Sequence, residues 1–172
     1  MSVNFLEELV AEWYEYKGYF IRRNARVGPL PRGGYECELD VVAFDPKTKQ
    51  LVHIETSSDA NSWKTREGRF TKKFEAGRKY IPGIFSGLLP DSPSSQIDQI
   101  ALIAYMGKTP RSLAGAKAIS GSAFLKEIVD VLSSSEKEVP EQFFLLRTVH
   151  WVAYYRKELF EQPSGPVKTA QT

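Results

Sequence analysis

The chain has 172 residues, is 42% hydrophobic, 26% charged and 12% aromatic, and carries a formal net charge of +2. That mixture excludes collagen-like, low-complexity and globally disordered chains, and the length suits one domain around one core. No apolar run reaches the roughly 18 residues of a membrane helix, no basic-headed leader opens the chain, and Cys37 is the single cysteine; a cytoplasmic protein without a membrane partner is expected.

Residues 2–17 predict an amphipathic helix, because Phe5, Leu9, Trp13 and Tyr16 recur at three- to four-residue spacing and Gly18 supplies a stop. YFIRRNARV predicts a strand, GPLPRGG a turn, ECELDVVAFD a second strand, DPKTKQ a turn set by Pro46, and LVHIETS the returning strand. A helix over 61–81, opened by Asn61 or Ser62, gathers Trp63, Phe70, Phe74 and Ile81 on one face. After a Gly-, Pro- and Ser-rich loop (83–95), IDQIALIAYM predicts a buried strand. Helices are expected over 122–134, capped by Ser122, and over 140–159, opened by Pro140. The apolar excess of that last helix would suit a homodimer interface. From residue 162 the tail has no core residues and is expected to be disordered, leaving one domain over 1–161. The order of elements predicts an α/β fold.

Charge is unevenly placed. Between Lys64 and Lys79 seven basic residues face two acids, and Arg22, Arg23, Arg26 and Arg32 form a second basic cluster. Such stripes suit a phosphate backbone, although a merely solvated helix face has the same look. Arg22, Arg23, Arg26, Arg32, Arg66, Arg69 and Lys72 are the expected nucleic-acid contacts.

The second hairpin allows its register to be inferred. If Asp45 and Gln50 flank a four-residue loop, Phe44 pairs with Leu51, Val42 with His53, and Asp40 with Glu55. Leu39, Val41 and Ala43 then join Val52, Ile54 and Thr56 on an apolar core face. Like charges directly opposite destabilise a sheet unless something positive lies between them. Two carboxylates about 5 Å apart at Cβ suit Mg²⁺ or Mn²⁺. His53 shares the acidic face but sits nearer the turn, where packing is its expected role. His150, within an apolar helix, is read as structural.

Gly18-Tyr19-Phe20-Ile21, Asn24-Ala25-Arg26, Glu38-Leu39-Asp40-Val41-Val42 and His53-Ile54-Glu55-Thr56-Ser57, in this order, resemble the small PD-(D/E)XK endonucleases related to Holliday-junction resolvases. The resemblance spans about residues 5–81 and implies a restriction-endonuclease-like αβββαβ core, a central mixed sheet flanked by helices, with further C-terminal helices. It implies Asp40 and Glu55 as metal ligands, Mg²⁺ or Mn²⁺ as cofactor, Glu7 as the first-helix acid (Glu8 and Glu12 being competitors), and nucleic acid, DNA ahead of RNA, as substrate. Ser57 stands where the family carries its lysine, and a hydroxyl supplies no positive charge. Lys64 and Lys73, on the following helix, are the candidate replacements. The implied activity is a metal-dependent nuclease. The alternatives are an inactive nucleic-acid-binding protein on the same fold and a regulatory or toxin-like interaction protein that merely shares the topology.

Overall fold

A computed structural model describes residues 4–88, 97–105, 112–135 and 138–160. Asn4 opens helix α1 (Phe5–Tyr16), its side chain accepting the Leu6 N–H at 3.1 Å. Gly18, at φ 91°, turns the chain out of the helix. Three antiparallel strands follow: β1 (Phe20–Pro29), β2 (Tyr35–Phe44) and β3 (Leu51–Ser57). Gly33 and Gly34, at φ 88° and 84°, make the first turn. Asp45 organises the second, accepting the Lys47 N–H at 2.9 Å and the Thr48 hydroxyl at 2.7 Å.

Helix α2 (Trp63–Ile84) is capped by Ser62, which accepts the Thr65 N–H. It leads to β4 (Ile97–Ile103), which lies parallel to β3. A short hairpin, β5 (Ser112–Leu113) and β6 (Ala116–Ser120), precedes helices α3 (Gly121–Ser134), α4 (Phe144–Tyr154) and α5 (Arg156–Phe160). The mixed six-stranded sheet runs β1-β2-β3-β4-β6-β5. Helices α1, α3 and α4 cover one face, over Val41, Ala43, Val52, Ile54 and Leu102. Helix α2 covers the other: Phe70 and Phe74 lie with Ala101 and Ile103, whereas Ala76 and Ile81 lie with Val42, Phe44 and Leu51. The α/β architecture is therefore as expected. No described helix is long and apolar enough to cross a membrane.

Several local expectations need correction. The β5–β6 hairpin was not foreseen, because AKAIS is short and rich in alanine, a weak strand former. Its last residue, Ser120, and not Ser122, caps α3, accepting the Ala123 N–H at 3.1 Å. Pro140 sits in the turn before α4, which begins only at Phe144. Since Phe143 offers no side-chain cap, the buried Glu12 of α1 accepts the N–H groups of Leu145 and Leu146 at 3.2 and 2.9 Å. Helix α2 continues through Pro82, which is exposed and costs it one hydrogen bond without ending it. Trp63, expected on the apolar face of this helix, is 41% exposed and stacks against Arg66. The tail from residue 161, most of the 83–95 loop and the end of the 97–106 strand lie outside the described residues.

Leu39 is the most informative correction. It packs with Val42 and Phe44 beneath α2, and not with Val41 and Ala43 on the other face. Alternation therefore changes sides at Asp40. Across the β1–β2 ladder, Asn24 adopts a left-handed φ of 48° between the pairs Arg23–Val41 and Ala25–Leu39. On β1 the sides change at the same level, Ile21 packing with the α1 side and Ala25 and Val27 with the α2 side.

Candidate functional site

The β2–β3 ladder follows the expected register from Phe44–Leu51 to Val41–Ile54. At the next position side chains take over its hydrogen bonds. The Asp40 N–H donates to Glu55 Oε1 at 3.2 Å, and the Thr56 N–H donates to Asp40 Oδ2 at 2.8 Å. The Thr56 hydroxyl adds a third bond, to Asp40 Oδ2 at 3.2 Å. Each strand's amide is thus satisfied by the opposite strand's carboxylate, which draws both acids into the sheet where the alternation changes sides. Asp40 is 8% exposed and Glu55 fully buried.

Such a pair demands a positive partner, and Lys73 supplies it. From α2 its ammonium contacts both Asp40 Oδ1 and Glu55 Oε2. Burial works against the charge on Lys73, but Glu55 and Asp40 outweigh it and hold the ammonium above its ordinary pKa. Burial pushes Glu55 upward, and Asp40 adds to that, while the His53 hydrogen bond and Lys73 pull the other way.

His53 completes the cluster from inside the protein. It is fully buried, and its Nε2 lies 2.7 Å from Glu55 Oε1. On its far side stands Gln99 of the neighbouring strand, whose Nε2 lies 3.4 Å from Nδ1. The Phe74 ring meets the imidazole edge-on, with centroids 5.3 Å apart. Gly77 of α2 makes the room: a Cβ there would lie 2.3 Å from Nδ1.

Of the first-helix acids, Glu7 is the one in electrostatic reach. Its carboxyl is raised first by burial and then by Asp40, with Glu55 adding and Lys73 and an Asn4 hydrogen bond opposing. Glu8 pairs with Arg23 at 3.5 Å, and Glu12 is committed to α4. Ser57 accepts from Arg69 at 3.0 Å, and Arg69 also pairs with Asp59 at 2.7 Å. Although burial opposes it, the Asn61 N–H, Arg69 and Ser57 together hold Asp59 well below the usual carboxylate range. Ser57 thus faces the guanidinium of Arg69, one helical turn from Lys73. Lys64 is exposed and carries no contact to the acids among the described residues.

The expected nucleic-acid contacts divide. Arg22, Arg32 and Lys72 are exposed and unpaired among the described residues. Arg26 is exposed but pairs with Glu38 at 3.1 Å, and half-buried Arg23 pairs with Glu15 at 2.9 Å. Arg66 is 5% exposed, bound to the Asp59 carbonyl and stacked 5.0 Å from the Trp63 ring, so it braces the loop before α2 and is withdrawn from the exposed stripe.

Sequence reasoning passed over His53 as a participant. The signal is in the sequence, since residues two apart on a strand share a face, but His53 also lies near the apolar turn, where packing is its expected role. Compared with known proteins, the chain matches no family model and no curated protein. The site therefore stands on its own geometry.

That geometry offers a divalent cation a partial shell. Asp40 Oδ1 and Glu55 Oε2 converge on one positive centre, while Asp40 Oδ2 and Glu55 Oε1 are tied to the backbone, Thr56 and His53. Among the described residues no three His, Cys, Asp or Glu side chains close around a common point. Two hard carboxylate oxygens with the remainder left to water and substrate is the arrangement that suits Mg²⁺, which dehydrates reluctantly. The donor set fits.

Proposed function

We propose that the protein is a metal-dependent phosphodiesterase acting on nucleic acid, DNA ahead of RNA, built on a restriction-endonuclease-like αβββαβ core in which the motif lysine has moved to α2. One observation carries this reading: Lys73 reaches from a different element to the point where the Asp40 and Glu55 carboxylates meet. Asp40 and Glu55 would hold Mg²⁺ or Mn²⁺. A cation there supplies Lewis-acid chemistry, drawing charge from a phosphate oxygen and acidifying a bound water. Lys73, kept protonated by its acidic neighbours, offers fixed positive charge to the phosphate and no basicity. Glu7, whose proton affinity is raised, is the neighbouring carboxylate best suited to accept a proton from water. Exposed Arg22, Arg32, Lys64 and Lys72 would hold the phosphate backbone without reading bases.

A second reading has its own support. The Lys73 ammonium already neutralises both free carboxylate oxygens, as it would in a silent site on a nucleic-acid-binding protein. Cleavage of single-stranded, duplex and branched DNA and of RNA with Mg²⁺ or Mn²⁺ separates the two. The nuclease reading expects cleavage that Asp40→Ala and Lys73→Met each reduce at least a hundredfold. Salt-sensitive binding without cleavage would select the silent site, and the absence of both would overturn the two readings together.

A further inference from the structure

The hydrogen bonds around His53 form a chain in which every donor and acceptor is fixed. The Arg78 guanidinium, which can only donate, bonds Gln99 Oε1 at 2.5 Å, and the Phe74 carbonyl, which can only accept, takes Gln99 Nε2 at 2.8 Å. The Gln99 amide therefore has one orientation, with its NH₂ toward His53 Nδ1. Nδ1 must be the acceptor, so the imidazole proton resides on Nε2 and is donated to Glu55 Oε1 at 2.7 Å. We infer that His53 is a positioning residue: it commits Oε1 of Glu55, so that Oε2, which with Oδ1 of Asp40 holds the Lys73 ammonium, is the one Glu55 oxygen that a divalent cation can take.

The cost of this arrangement shows that it is built. A glycine in the middle of a helix forfeits stability relative to alanine, yet Gly77 sits in the 22-residue α2 because any Cβ there would overlap the imidazole. Three elements meet at the ring: β3 carries it, β4 supplies Gln99, and α2 supplies Phe74 and Gly77; Arg78 of α2 holds Gln99 in turn, and β2 offers the Asp40 N–H to the same Glu55 Oε1. A histidine that merely filled space would need no donor chain. A carboxylate held at one oxygen loses its bidentate alternative, so the pair supplies one ligand atom each. Outer partners of this kind typically govern metal affinity by 10–100-fold.

The inference rests on Asp40 and Glu55 being the ion-holding pair, and its test separates the two. Mn²⁺ binding to the full chain is followed by loss of the free-ion paramagnetic resonance signal, with thermal unfolding recorded in parallel. His53→Met, which keeps bulk and removes the donor, is expected to weaken Mn²⁺ at least tenfold. His53→Gln, which restores a donor near Nε2, is expected to remain within about threefold of the parent. Asp40→Asn is expected to abolish binding. Parent-like affinity in His53→Met, or equal weakness in His53→Gln and His53→Met, overturns the positioning role while leaving the ion-holding pair intact. A parent protein that binds no Mn²⁺ overturns the pair and the positioning role with it. Should His53→Met fail to fold, Gln99→Leu decides: it keeps His53 and frees its tautomer, and unchanged Mn²⁺ affinity overturns the inference.

Discussion

Lys73 is where sequence, packing and chemistry meet in one atom. Its four-carbon stem runs from α2 over the sheet, and the side chain is 23% exposed while the carboxylates it joins are nearly or wholly buried. Removing one partner of a buried ion pair costs more than the pair contributes, because the other charge is left uncompensated. Lys73→Met should therefore destabilise the fold by about 3 kcal/mol at neutral pH, even though methionine nearly fills the same volume. The pH dependence has a definite sign. With the ammonium gone, Asp40 and Glu55 repel each other and the folded state holds a carboxyl proton more tightly than the unfolded chain, adding to the upward push that burial already gives Glu55. The loss is then complete above that raised folded pKa and disappears as pH falls through it to the ordinary carboxylate value. Urea unfolding of parent and variant between about pH 4 and 8 checks this. A constant difference across that range would mean that Lys73 stabilises by packing and not by charge.

Among the elements, α2 carries both the ammonium and the gap that admits His53, which gives Gly77 a testable meaning. Alanine is worth about 1 kcal/mol over glycine in a helix, but overpacking costs about 1–3 kcal/mol, and here the intruding Cβ meets a ring atom at 2.3 Å. Gly77→Ala is expected to destabilise the parent by about 1 kcal/mol and to stabilise a His53→Ala background by a similar amount. Denaturant unfolding of the four proteins reads the change of sign; equal effects in both backgrounds would refute the steric account. The same contrast between local and non-local cause explains what was legible in the sequence. The hairpin was legible because the Asp45 turn fixes register locally, and the pairings of Val42 with His53 and Phe44 with Leu51 follow from it. Lys73 was legible as a border residue of a periodic helix. Leu39 was not, because its change of face depends on the backbone at Asn24, a residue of another strand. Nor was the start of α4, whose cap is a glutamate 133 positions earlier in the chain.

For the whole molecule, the basic stripe between Lys64 and Lys79 is less available than the sequence suggests. Folding spends much of it internally: Lys73 on the acids, Arg69 and Arg66 on Asp59, Lys79 on Glu36 at 3.1 Å and Arg78 on Gln99. Arg23 and Arg26 are paired as well. Of the cations in this stripe and in the Arg22–Arg32 cluster, Arg22, Arg32, Lys64 and Lys72 remain exposed with neither an ion pair nor a hydrogen bond among the described residues. Each cation that neutralises a DNA phosphate contributes about −0.9 to the slope of log affinity against log salt. Four such cations predict a slope of about −3 to −4, against about −6 for the seven contacts expected from sequence. Titrating a short duplex between about 50 and 200 mM salt measures it. Lys72→Gln should make the slope shallower by about 0.9, whereas Arg66→Gln should leave it unchanged and lower stability instead, since Arg66 braces the loop at Asp59. A slope near −6, with Arg66→Gln making it shallower, would mean that the internal ion pairs open on the nucleic acid. The binding surface would then be one the free protein keeps closed by its own acids.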